Sequence, residues 1–186
     1  MHRKTLVLAL ATLAVAALAI PLRAVNDGEP DAGRHPYVGL MVAQDASGRP
    51  LWRCSGTLLS ATVYLTAGHC TEAPAAHVEI WFQEDVESGI PGNGYPFTGN
   101  VGGTPHTHHN IRVRLLARSK LNQINTGFTG DFSMLLSNNA HTGGTCFGDS
   151  GGPNFVGDTA VIAGVTSFGI NGDCAGTGGV YRIDGV

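Results

Sequence analysis

Charge is scarce in this chain: Asp, Glu, Lys and Arg make up 13% of 186 residues, against about 25% in an ordinary soluble domain. The net charge is −3. Beyond the first few residues no basic block occurs, which excludes an electrostatic surface for nucleic acid. Helical periodicity is also missing, with no run beyond about three turns after residue 20. There are no internal repeats and no low-complexity linker. Long apolar runs are absent except at the start, where His2, Arg3 and Lys4 precede the apolar stretch Leu6 to Ile20. That stretch falls short of the roughly 20 residues of a spanning helix. With Pro21 and the small residue Ala24 behind it, it reads as a signal peptide over 1–24. The expectation is an exported, extracellular chain with no membrane attachment after signal removal.

Glycine is abundant, at 27 residues, and it punctuates short β-rich segments. Tyr37 to Val42, Leu51 to Leu59, Val63 to Ala67 and Val78 to Phe82 read as strands, as do Asp131 to Leu136, Ala160 to Phe168 and Gly179 to Ile183. Between Ile111 and Leu115, apolar residues alternate with Arg112 and Arg114, as in a half-buried strand with its arginines outward. Glu84 to Gly103 reads as exposed loops around one short strand. The expected fold class is all-β, antiparallel, of sandwich or barrel type. Four cysteines in an exported chain favour two disulfides, and the sequence alone permits three pairings.

The chemistry concentrates in Thr145-Cys146-Phe147-Gly148-Asp149-Ser150-Gly151-Gly152-Pro153. Glycines tolerate φ > 0 and allow close approach of main chain. Such a run can aim N–H groups into a concavity while the Ser150 hydroxyl projects from it, as a nucleophile beside an oxyanion site requires. A hydroxyl needs a base. Thr66-Ala67-Gly68-His69-Cys70 follows an apolar strand and offers His69, which can take the serine proton and return it.

Together, in this order, the two segments resemble the signatures of the chymotrypsin-like (trypsin-like) serine endopeptidases, a likeness reaching from about Val25 to Ile183. The resemblance implies two antiparallel β-barrels with the site between them: a first barrel over about 25–110 and a partial second over about 111–186. It implies His69 as general base and acid, Ser150 as the acylated nucleophile, and the N–H groups of Gly148 and Ser150 as oxyanion hole. It pairs Cys54 with Cys70 and Cys146 with Cys174. It places the specificity pocket at Gly144, Thr145, Ser167, Phe168, Gly169 and Gly179, with Ser167-Phe168-Gly169 as the edge that pairs with substrate backbone. Glycine at the floor position, Gly144, implies apolar or aromatic preference and no selection of Arg or Lys. Asp149 corresponds to the acid that pairs with a new N-terminal ammonium, here that of Val25; its other reading is a local turn acid.

The triad acid is the missing part. Asp131-Phe132-Ser133-Met134-Leu135-Leu136 looks like an acid-bearing strand but stands too near Ser150. The approach to the acid strand resembles Pro105-His106-Thr107-His108-His109-Asn110, after which Ile111 follows directly. A block carrying the acid and the first part of the second barrel is therefore expected to be absent between Asn110 and Ile111. His106, His108 and His109 also invite a metal reading, which lacks a further ligand. The expectation is a monomeric secreted serine endopeptidase with a polypeptide substrate, a proteinaceous inhibitor as a further partner, and no cofactor. The alternative is a truncated, catalytically impaired homologue that binds peptides or partners. An unrelated secreted β-barrel binding protein is the third reading.

Overall fold

The computed structural model describes residues 25, 27–86, 113–139, 141–172 and 174–184. The segment expected to be a signal peptide, the histidines at 106, 108 and 109, and the junction at 110 and 111 lie outside these.

Eleven strands and one short 3-10 turn make up the regular structure of the described residues. Strands β2 (Val38–Gln44), β3 (Pro50–Ser60), β4 (Val63–Leu65) and β5 (His77–Trp81) form an antiparallel sheet in the order β4-β3-β2-β5. Val38 faces Thr57 across the β2–β3 hairpin, and Leu40 faces Trp81 across β2–β5. The turn between β2 and β3 closes on Asp45, whose carboxylate accepts the N–H groups of Ser47 and Arg49 at 2.9 and 3.0 Å. That is how Asp favours turns.

The second sheet holds β7 (Leu121–Ile124), β8 (Ser133–Asn138), β9 (Pro153–Phe155), β10 (Ile162–Gly169) and β11 (Gly176–Arg182), in the order β7-β8-β11-β10-β9. A small ladder pairs β1 (Glu29–Pro30) with β6 (Leu115–Leu116). The fold is all-β, and its curled antiparallel sheets are consistent with chymotrypsin-type barrels.

Both clustered cores belong mainly to the first sheet. Met41, Ala43, Cys54, Ala67 and Cys70 pack with Val165 of β10, and Val42 and Trp81 pack with Val86. Alternation does not govern the 111–115 segment as expected. Val113 bridges to Asp85, and Arg114 turns inward rather than to solvent. Its Nε donates to buried Asp31 Oδ2 at 2.9 Å and its Nη1 to the carbonyls of Val38 and Phe82. His35 shares the same carboxylate, through its backbone N–H at 3.0 Å and its ring. Burial pushes the Asp31 carboxyl up, but these donors outweigh it and leave it below the ordinary value.

Candidate active site

Between β4 and β5 the chain makes a tight 3-10 turn, Gly68–Thr71, that carries His69 on the surface and Cys70 inside. Three bonds hold it. Cys70 N donates to Ala67 O at 3.0 Å, and Thr71 Oγ1 donates to Gly68 O at 3.1 Å. The Trp52 indole of β3 donates to Cys70 O at 2.9 Å. Cys54 of the same strand is bonded to Cys70, which clamps the histidine turn to the sheet. A His69 ring nitrogen and both sulfurs lie within 4.8 Å of one another. Because those sulfurs are joined in the disulfide, the group is no metal site.

The nucleophile loop is fixed from two sides. On one, Gly151 N donates to Thr166 O at 2.8 Å and Thr166 N to Gly152 O at 2.9 Å, clipping the loop to β10. On the other, Ser55 N of β3 donates to Ser150 O at 2.7 Å, and Ser55 Oγ donates to Gly148 O at 3.2 Å. Two glycines make this possible. Gly148 and Gly151 sit at φ +97° and +86°, and a Cβ at Gly151 would run into Ser55 O and Thr66 Oγ1. Cys146 and Cys174 form the second disulfide, so both expected pairings hold.

A cleft of about 330 Å³ results, lined by His69, Thr145, Cys146, Phe147, Ser150, Thr166, Ser167, Phe168, Gly169 and Cys174. The structure thus brings His69 and Ser150 to one cavity, together with four of the expected pocket residues. Among the described residues the N–H groups of Gly148 and Ser150 have no protein acceptor. β9 pairs with β10 only as far as Val165, so among the described residues Ser167–Gly169 has β11 as its one strand neighbour. That leaves an edge open to a peptide.

Other expected residues fall elsewhere. Gly144 and Gly148 line a larger neighbouring hollow of about 700 Å³, with Val25, Arg53 and Asp149. Gly179 lies behind the Phe168 ring, which occupies the space a side chain at 179 would need. The wall there is an aromatic face instead of bare backbone. Asp149 Oδ2 accepts the N–H of Cys146 at 2.8 Å. Burial raises its pKa to about 6, against the pull of that N–H and of the Arg53 charge.

No carboxylate is bonded to the His69 ring among the described residues. Asp131 stands in the turn before β8, exposed, near Arg182. β8 runs from Ser133 to Asn138, and Asn138, at the end away from Asp131, is the one that reaches the pocket residues Thr145 and Cys174. Asn138 is the residue that motif reading passes over. Its Nδ2 donates to Thr145 O at 2.7 Å and to Cys174 O at 3.3 Å, directly behind the cleft.

No curated protein and no solved structure matches the chain. One family model does, that of Trypsin, over residues 83–183. The match takes in the nucleophile loop and the whole second sheet, and it covers more than half of the chain. His69 lies before it, supplied by the first sheet to the same cleft. By this match the chain belongs to the trypsin family of serine proteases.

Proposed function

We propose that the chain is an exported serine endopeptidase that cleaves polypeptides through an acyl-enzyme on Ser150. The observation that carries this reading is the meeting of His69 and Ser150 in one cleft, where the Ser150 N–H has no protein acceptor among the described residues. His69 takes the Ser150 proton as the hydroxyl attacks the scissile carbonyl, and returns it to the leaving amine. The N–H groups of Ser150 and Gly148 receive the developing oxyanion. Gly148 N–H reaches that role when the loop settles against the substrate. Signal cleavage after Ala24 frees the Val25 ammonium, which pairs with Asp149 across the hollow that both residues line. Peptide backbone adds to the Ser167–Gly169 edge. The cleft wall carries Phe168 and no carboxylate, so apolar and aromatic side chains enter and Arg or Lys is not selected.

The second reading, a catalytically impaired homologue, has an observation of its own: no acid orients His69 among the described residues. Loss of the acid with geometry intact lowers turnover by about 10⁴ and leaves catalysis above water. A fluorophosphonate probe separates the two. Protein collected from the culture medium, with an N-terminus at Val25, is expected to label at Ser150, slowly, and His69→Ala to abolish labelling. Its peptide products are expected to end in aromatic or large apolar residues. Folded, soluble protein that takes no label refutes the enzyme reading, and fast cleavage confined to Arg and Lys refutes the pocket assignment.

A further inference from the structure

The histidine turn gathers three side chains that can ligate a metal. A ring nitrogen of His69 and the sulfurs of Cys54 and Cys70 lie within 4.8 Å of one another. Joined in the disulfide, the sulfurs offer a cation no thiolate. Reduction frees both, and the backbone around them does not depend on the bridge. Cys54 is held in β3 opposite Met41 of β2. The turn keeps its own three bonds, from Cys70 N to Ala67 O, from Thr71 Oγ1 to Gly68 O and from the Trp52 indole to Cys70 O. The Cα atoms of the two cysteines therefore stay near their present separation of 6.2 Å, and the freed sulfurs move by side-chain rotation.

In a tetrahedral zinc centre Zn–S is about 2.3 Å and Zn–N about 2.0–2.1 Å, which sets the ligand atoms roughly 3.5–4 Å apart. From the present spacing the imidazole has to close in by at most about 1 Å while the sulfurs part. Two thiolates and an imidazole are a soft donor set that selects zinc(II) over magnesium or calcium. Three protein ligands with an open fourth position suit the same ion. Burial adds to the demand for a cation. Cys54 and Cys70 are 3% and 0% exposed, where two uncompensated thiolates are costly and a dication offsets them. His69 stands on the surface, so the ion enters from solvent on its side. Cys146 and Cys174 have no third His, Cys, Asp or Glu atom at such range among the described residues.

We propose that the reduced Cys54 and Cys70 form, with His69, a soft-cation site of the zinc class, and that disulfide formation dismantles it. A dithiol gives the bridge two electrons and two protons and leaves as a disulfide. The dication then displaces the two thiol protons. Oxidation of the pair by a disulfide acceptor reverses these steps and releases the ion. An imidazole bound to a dication at one nitrogen carries its proton on the other and has no lone pair left. On the protease reading, on which this consequence rests, His69 then cannot take the Ser150 proton. The chain is silent until it meets an oxidising compartment.

The test does not need turnover. The full chain is reduced with a phosphine, so that no added thiol competes for metal, and titrated with cobalt(II) without air. The reduced chain is expected to bind a single cobalt, with thiolate-to-cobalt charge transfer and the visible bands of a tetrahedral centre, and zinc(II) to displace it. The oxidised chain is expected to show neither. Cys146→Ser/Cys174→Ser keeps the signal and Cys54→Ser/Cys70→Ser loses it. His69→Ala, at an exposed position, weakens binding about tenfold or more. A reduced chain without the charge-transfer band overturns the proposal. So does an affinity unchanged in His69→Ala, which would mean that thiols bind the metal without the turn. Cobalt bound in the expected way by protein that never takes a fluorophosphonate label leaves the site standing and removes the catalytic reading.

Discussion

Asp149 combines a carboxylate, burial and a single backbone donor, and it makes a prediction about pH. Its folded pKa of about 6 lies above the ordinary 3.8. The stability tied to its neutral form is fully present below about 3.8 and is lost as pH rises through about 6. The difference corresponds to at most about 3 kcal/mol. In the chain with residues 1–24 still attached, Asp149→Asn keeps an acceptor for Cys146 N–H and removes the titration. The Tm advantage of the Asp149→Asn variant over wild type is expected to grow from pH 4 to pH 7 and then level off. A constant difference across that range refutes the assignment. At this scale the sequence singles out residues marked by their immediate neighbours, Ser150 among glycines and His69 against Cys70, and the structure brings these two to one cleft. The sequence does not reveal Arg114 or Asn138. Arg114 is drawn inward by Asp31, 83 positions away, and Asn138 is held by Cys174, 36 positions away. Partners that distant leave no local pattern, and for that reason Arg114 reads as solvent-facing in the sequence.

Among the elements, strands rich in apolar and β-branched residues and bounded by turns are legible: β3, β8, β10 and β11 fall close to their expected places. β1, β7 and β9 are not. Leu121-Asn122-Gln123-Ile124 carries little strand propensity, and Pro153 opens β9. Pairing with a neighbour, not local preference, makes these segments extended. The cost to β7 is exposure, since all four of its residues are exposed, Leu121 at 54%. Among the described residues it is also an edge, with β8 on one side only. An apolar edge strand is a template for pairing with another chain. Leu121→Lys with Ile124→Lys is expected to lower concentration-dependent light scattering several-fold, while stability changes by no more than about 0.5 kcal/mol. Unchanged scattering would place the aggregating surface elsewhere.

Across the whole molecule, stability is unevenly distributed and the site straddles the boundary. The two clustered cores draw most of their buried residues from the first sheet and the turns that adjoin it, with Val165 the one contribution from the second. His69 rides on the well-packed sheet. Ser150 belongs to the other but leans on the first through Ser55, and Cys70 Sγ lies 3.7 Å from Ser150 O. Local opening follows the density of buried apolar contacts. Native-state hydrogen exchange should therefore show the slowest amides in β2 and β3, intermediate protection in β8, β10 and β11, and near-free exchange in β7. The amides of Gly151 and Thr166 report on the docking of the nucleophile loop. They should exchange with the second sheet in wild type and faster in Ser55→Ala, which loses the bond to Gly148 O. Uniform protection across both sheets would mean that the second sheet is as well cored as the first. If the second sheet does open first, repacking it raises the fraction of chains able to react at Ser150 without altering the chemistry of those that do.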